Sequence, residues 1–260
     1  MKNSPLFLFF LLSITILNSQ TGIYSTNGVL TVEIPTSVDV LTGYPSADEL
    51  DSKAISEYNK GSEILYSLNQ IKEEEREKAL YKAIDYLIAA INYDEKFIQA
   101  YDNLGKAYRM VGSFNLAIQS YKISIKIFPS GTAAHQNLAI VYETLKEWDN
   151  SIMEYKVVIN LSPQNPEGYY GLANVYQKMS KLDLALSNAI TALKLYEKKP
   201  PNYIGDSYGQ VGLIYYYMGN QEKAREYILM AKEKDFKNNF ESRFYSTYPE
   251  SLLKELNINN

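Results

Sequence analysis

The 260 residues contain one histidine and no cysteine. Disulfides, thiol nucleophiles, cysteine-ligated zinc and a lipidated amino-terminal cysteine are excluded, and most histidine-based metal and acid–base sites go with them. The single imidazole, His135, falls 34 residues after Tyr101 and 34 before Tyr169, which marks it as the occupant of an aromatic packing slot rather than a catalytic group. There is no phosphate-cradling glycine loop, no paired-histidine helix motif, and no nucleophile beside a credible base. Asp183 and Glu222 fall in helix–turn regions and read as solvated surface. Asn160-Leu161-Ser162 matches a glycosylation acceptor triplet, but it lies at a helix end and matters only in a eukaryotic secretory route. The residue types therefore favour noncovalent recognition, with no catalytic residue, metal or cofactor expected and no small-molecule substrate.

Composition narrows the partner. The hydrophobic content of 46% with 22% charged residues is ordinary for a folded chain, and the formal charge of -4 provides no basic field for nucleic acid or an anionic membrane. Many of the 24 tyrosines recur at packing positions of the pattern described below.

At the amino terminus, Lys2 precedes a 12-residue run from Leu6 to Leu17 broken only by Ser13 and Thr15. A membrane-spanning helix needs about 20 apolar residues, whereas the central region of a secretory signal needs roughly 7 to 15. Residues 1–19 read as a signal peptide with cleavage near Ser19, the alternative being an uncleaved anchor. The expected location is export to a periplasmic or outer-envelope compartment, or secretion. Membrane association is expected only through a partner or an uncleaved leader.

Residues 20–45, with Gly22, Gly28, Pro35, Gly43 and Pro45, read as an extended or disordered lead-in holding one strand at Val29-Leu30-Thr31-Val32-Glu33-Ile34. Ser46-Ala47-Asp48-Glu49 has the form of a capping box, so helix is expected from there. The first helical pair, about 46–97, is irregular. Gly61 and Ala83 stand 22 residues apart where the next pair has 12 between Gly105 and Ala117. The run Lys72-Glu73-Glu74-Glu75-Arg76-Glu77-Lys78 reads as a solvated helix start in which Glu74 pairs with Lys78.

The elements that must position any binding group then repeat. Tyr101, Leu104, Gly105, Tyr108, Ala117, Tyr121 and Pro129 are answered 34 residues on by His135, Leu138, Ala139, Tyr142, Ser151, Tyr155 and Pro163. The next copy carries Tyr169, Leu172, Ala173, Tyr176, Ala185, Ala189 and Ala192, and a later one, five residues out of phase, carries Tyr208, Val211, Gly212 and Tyr215. Glycine or alanine at position 8 lets a second helix approach the first. Asn165-Pro166-Glu167 supplies a cap, a proline at the first helical position and an acid in the first turn. The phase slip at Lys198-Lys199-Pro200-Pro201-Asn202 predicts a longer loop. Thr247-Tyr248-Pro249-Glu250 predicts a last capped helix whose Leu252, Leu253 and Leu256 cover the apolar end.

On these residues and this period, the chain resembles the tetratricopeptide repeat family, most closely in the copies starting at Ile98, Thr132 and Pro166. The resemblance implies an all-α, right-handed α-solenoid of about five helix pairs over 46–257, with units 46–97, 98–131, 132–165, 166–199 and 205–238 and a capping segment at 239–257. It also implies a concave groove that receives a protein or peptide. Its lining would come from first-helix positions 2, 5, 9 and 12. These are Gln99, Asp102, Lys106 and Arg109; then Ala133, Gln136, Ile140 and Glu143; then Glu167, Tyr170, Asn174 and Gln177; then Asp206, Gly209, Leu213 and Tyr216. The expected partner-binding residues among them are Gln99, Asp102, Lys106, Arg109, Gln136, Ile140, Glu143, Tyr170, Asn174, Gln177, Leu213 and Tyr216. Asp102 stands where the subgroup that grips a carboxy-terminal aspartate wants lysine, and Asn103 and Asn137 at position 6 read as structural. The leading expectation is an exported adaptor that holds a polypeptide with an apolar or aromatic segment. The alternatives are a structural subunit of an envelope or secretion assembly and, least favoured, an enzyme using groove carboxylates.

Overall fold

The computed structural model describes residues 23–26 and 29–32 by backbone alone, and 49–198, 204–237 and 247–258. The expected signal peptide, the proposed Ser46 cap, the loop at 199–203 and the stretch 238–246 lie outside the described residues. Among the described residues no helix is long and apolar enough to cross a membrane.

The chain divides into two compact units, Met1–Pro129 and Ser130–Asn260. In the first, strands β1 (Ile23–Thr26) and β2 (Val29–Val32) pair antiparallel, with Thr26 opposite Val29 and Ile23 opposite Val32. The single strand expected in the lead-in thus has a partner. The signal for it is Asn27-Gly28, the dipeptide most favoured between two hairpin strands. β2 lies against α4 (Phe114–Ile127). Helix α1 (Ser52–Ser67) packs on α2 (Glu73–Tyr93), and α3 (Ile98–Met110) packs on α4.

Helix α1 itself begins at Ser52. The cap is Asp51, whose carboxylate accepts from the amides of Lys53 and Ala54 at 2.7 and 3.1 Å. The extra residues of the first pair become a 3-10 turn at Leu68–Gln70 and additional turns at the start of α2. Three acids in the first turn of α2 oppose the positive end of the helix dipole. The ion pair there joins Glu73 to Arg76, three residues apart, rather than Glu74 to Lys78.

The second unit stacks three antiparallel pairs. These are α5 (Thr132–Thr144) with α6 (Trp148–Leu161), α7 (Pro166–Lys178) with α8 (Leu182–Tyr196), and α9 (Ile204–Tyr217) with α10 (Gln221–Lys237). A short helix, α11 (Glu250–Glu255), follows. Helices α3, α5 and α7 begin at the first residues of the three in-phase copies. At α7 the reason is local: Asn165 accepts from the Glu167 amide, and Pro166 occupies the first helical position, where its missing N–H costs nothing.

Small residues at positions 8 and 6 of the first helices allow close packing within a pair and between pairs. A Cβ at Gly105 would lie 2.6 Å from the Tyr121 ring of its own pair, and one at Gly171 would lie 2.1 Å from Tyr155 of the pair before, so each tyrosine ring lies close against a glycine of a neighbouring helix. Tyr101, Leu104 and Tyr121 are each fully buried, and burial of such side chains is worth about 1.5–3 kcal/mol apiece.

Every first helix of the regular pairs ends the same way. The turn residue is left-handed at Gly112, Lys146, Ser180 and Gly219, with φ between 59 and 79°. Its own amide and the next one reach back to the last-turn carbonyls, as in Ser180 N to Gln177 O at 2.9 Å and Lys181 N to Tyr176 O at 2.9 Å. At the far end, Leu252, Leu253 and Leu256 bury against Ala224, Ile228, Ala231 and Tyr248. One exposed apolar stripe is thereby sealed, although no side chain caps the start of α11.

Candidate functional site

On α3, the helical spacing of Gln99, Asp102, Lys106 and Arg109 places them on one stripe. Lys106 extends far enough for its Nζ to sit 5.6 Å above the ring of Tyr66 on α1, a cation–π contact of modest strength at an exposed ring. On the other three, one polar atom each, Gln99 Oε1, Asp102 Oδ1 and Arg109 Nε, is buried without a hydrogen-bond partner. Burial pushes the Asp102 carboxyl up to about 6, and a hydrogen bond from Ser124 holds part of that rise back. Tyr121 is pushed well above the usual phenol range by burial, which the charge of Arg109 partly opposes. Lys106 and Arg109 are both half-buried on this stripe. Asn103 is structural: its amide donates to Ser62 Oγ at 2.9 Å and to Tyr58 OH at 3.2 Å on α1.

In the second unit, the stripe residues of α5 are tied into the fold. Ile140 is half-buried against the cluster of Ala139, Tyr155, Leu172 and Val175. Glu143 pairs with Lys178 at 2.7 Å, and Gln136 Nε2 lies 3.4 Å from Glu167 Oε2.

The faces of α7 and α9 are different. Tyr170, Asn174, Gln177 and Leu213 come together around a cavity of about 200 Å³, also lined by Lys178, Asp206, Gln210, Thr247 and Tyr248. Gln210 Nε2 donates to Asn174 Oδ1 at 2.6 Å and to the Tyr170 carbonyl at 3.0 Å. The Asn174 amide nitrogen, not its oxygen, is thus left for a ligand. Beside this lies a second cavity of about 350 Å³ walled by Glu167, Tyr170, Tyr196 and Asp206. Tyr170 and Tyr196 meet edge to face with ring centres 6.3 Å apart, and the Tyr196 hydroxyl donates to Glu167 Oε1 at 2.6 Å. Burial first, and then Glu167, raise the Tyr196 phenol far above its usual range.

The Tyr216 hydroxyl donates to Glu255 of α11 at 2.7 Å. Leu213 packs on the cluster that contains Tyr248. The carboxy-terminal segment is what the stripe missed. Tyr248 is 3% exposed, and a Cβ on Gly209 would lie 1.5 Å from its hydroxyl oxygen. A signal was present, since position 5 carries Asp102, Gln136 and Tyr170 in earlier copies and no side chain at Gly209. Gln210 was missed as well, although it stands at position 6, the position Asn103 uses to bridge first helices.

His135 is buried as an aromatic slot predicts, and it is also bonded: Nδ1 lies 2.6 Å from Glu154 Oε2. The pair joins α5 to α6 within the packed interior and faces neither cavity. Asp183 and Glu222 lie on the surface, and the described residues contain no cluster of three histidine, aspartate or glutamate side chains able to hold a metal ion.

Comparison with known families places residues 166–233 in the tetratricopeptide repeat model and residues 144–180 in a second TPR repeat model. No curated protein matches the sequence. Among solved structures, a thermophilic TPR protein of Thermus thermophilus superposes with a TM-score of 0.59 at 18% identity, over 74% of this chain and 97% of that one. MamA (residue 41 to the end) from Desulfovibrio magneticus RS-1 gives 0.56 at 16% identity over 72% of this chain and 98% of that one. BtubC from P. vanneervenii gives 0.56 at 15% identity over 75% and 93%. At these identities the likeness is one of fold: stacked antiparallel helix pairs.

Proposed function

We propose that these tetratricopeptide repeats form an exported, noncatalytic adaptor that holds a polypeptide partner on the first-helix faces of its second unit. The observation that carries this reading is the cleft between α7 and α9, where Tyr170, Asn174, Gln177 and Leu213 converge on open space. Tyrosine supplies contact area at low entropic cost, and the two amides can satisfy the backbone of an extended segment. The adaptor adds no chemistry of its own, in keeping with the single buried histidine. Export rests on the leader, with Lys2 ahead of the apolar run to Leu17.

Affinity capture from the native envelope fraction tests the binding surface. The double variant Tyr170→Ala, Gln177→Ala should retain at least about tenfold less of the polypeptides that the unaltered chain retains, with helical circular dichroism unchanged. Equal retention by the two proteins would overturn the assignment. Fractionation of cells producing residues 1–30 fused to a reporter enzyme tests export. A reporter confined to the cytoplasm would refute it.

A further inference from the structure

Three cavities lie in a row along α7, joined by the side chains they share. The two already described have Tyr170 and Asp206 in common as walls. The one of about 200 Å³ shares Gln177 and Lys178 with a third, of about 310 Å³, whose other walls are Ser180, Leu182 and Tyr217. The row therefore starts beside Glu167 in the first turn of α7 and ends over the turn that leads into α8. The other direction, across α9 toward the carboxy-terminal segment, is taken. Tyr248 stands against Gly209, and Tyr216 and Gln221 both donate to Glu255. Tyr217 is next to this contact but outside it. It meets the Tyr216 ring edge to face with centres 5.7 Å apart, and it is 59% exposed. It thus packs on a bonded neighbour while more than half of its surface meets solvent.

We infer that the bound polypeptide runs lengthwise along α7 in extended form and leaves over the α7–α8 turn, where the third cavity and Tyr217 take one of its large apolar side chains. The inference rests on the reading that the cleft receives a polypeptide, and it specifies the path, the conformation and one side chain. Extended form follows from the amides. Asn174 and Gln177 stand on the middle cavity, and a backbone can pair with them only if its own N–H and C=O groups are not engaged inside a helix. The apolar side chain follows from the lining of the exit. Leu182 and Tyr217 present apolar surface there, and the ammonium of Lys178 is balanced by Glu143 at 2.7 Å, so its stem is what the cavity meets. A tyrosine ring gives contact area to such a side chain at low entropic cost. From Tyr170 to Lys178 the helix rises about 12 Å, which an extended chain covers in about four residues and a helical one in about eight.

The test places the photo-crosslinking residue p-benzoylphenylalanine at Tyr170 in one full chain and at Tyr217 in another, irradiates each with the native envelope fraction, and maps the adducts by mass spectrometry. One polypeptide should be joined from both positions, at sites about four to six residues apart. Sites about eight or more residues apart, adducts to different polypeptides, or an adduct from the Tyr170 position alone would overturn the path. Retention of that polypeptide gives a second measurement. Tyr217→Ala should lower it at least about fivefold, and Tyr217→Phe should leave it within about twofold, because the ring and not the hydroxyl makes the contact. Helical circular dichroism should not change, since Tyr217 lies on the surface. Tyr81→Ala, which removes an exposed tyrosine of the first unit, should have no effect. If the Tyr170→Ala, Gln177→Ala variant loses the polypeptide while Tyr217→Ala keeps it, the groove stands and only the exit over the turn falls. If neither variant loses it, the groove reading itself fails.

Discussion

On α3, Gln99, Asp102 and Arg109 each bury a polar atom that has no partner. On α7 and α9, side chains at the same repeat positions or next to them are bonded to their neighbours around open space: Glu167 to Tyr196, and Asn174 to Gln210. Helical register is the same in both regions, so register alone does not make a binding face. What differs is what stands opposite. Around α3, burial desolvates the acid, and the hydrogen bond from Ser124 offsets part of that cost. Around α9, a glycine at position 5 clears room that Tyr248 enters from a distant part of the chain. Both regions leave buried polar atoms unpaired, Gln210 Oε1 and Ser207 Oγ on α9 among them, but the second also lines a cleft.

The largest expected effect would break the second half of that contrast. Gly209→Val drives a branched side chain into Tyr248 and should destabilise the second unit by about 3 kcal/mol. Hydrogen exchange should then show the segment from Thr247 onward losing protection first, and unchanged protection there would mean that Tyr248 does not occupy the space beside Gly209. The next tests the first half. The folded Asp102 carboxyl titrates at about 6, above its ordinary 3.8, so the fold favours its protonated form. Its stabilising contribution is complete below the ordinary value and is lost as pH rises through about 6. Asp102→Asn should therefore stabilise the first unit by on the order of 2 kcal/mol at pH 8 and flatten its stability between pH 4 and 7. Denaturation across that range checks it.

A matched pair of substitutions sharpens the contrast further. Asn103→Ala and Gln210→Ala remove position 6 bridges in the two units, and each should cost about 1–2 kcal/mol. Similar losses in chemical denaturation would locate the difference between the regions in the stripe and not in the bridges. The smallest effect serves as a control within the second unit. Ser180 holds φ at 59°, where Gly112 and Gly219 serve other turns. Ser180→Gly should gain about 0.5 kcal/mol in the same denaturation experiments, the strain relieved less the added chain entropy.

Much of the repeat architecture is legible in the sequence. The small residue at position 8, the Asn165-Pro166 start and the leucines of the final helix are local chemistry that spacing exposes directly. Asp51 is harder to pick out because a better-looking capping box stands a few residues earlier, and boundary signals compete within one turn. Asn27-Gly28 is a local signal too, and it marks the hairpin that a single-strand reading overlooks. The rest is juxtaposition across the chain. Nothing near Asp102 in sequence says that Ser124 and Tyr121 will enclose it. His135 and Glu154 lie 19 residues apart, facing each other only because α5 and α6 fold back to back. Tyr248 reaches Gly209 only once the last pair has formed, which no periodicity announces.

The His135–Glu154 contact gives the molecule a built-in clock. Because the chain has one imidazole and it is buried, an acylating reagent such as diethylpyrocarbonate should modify it faster when α5 and α6 are parted. The rate of carbethoxylation at fixed reagent would count those separations, and a polypeptide that clamps the second unit should slow it without touching the ring.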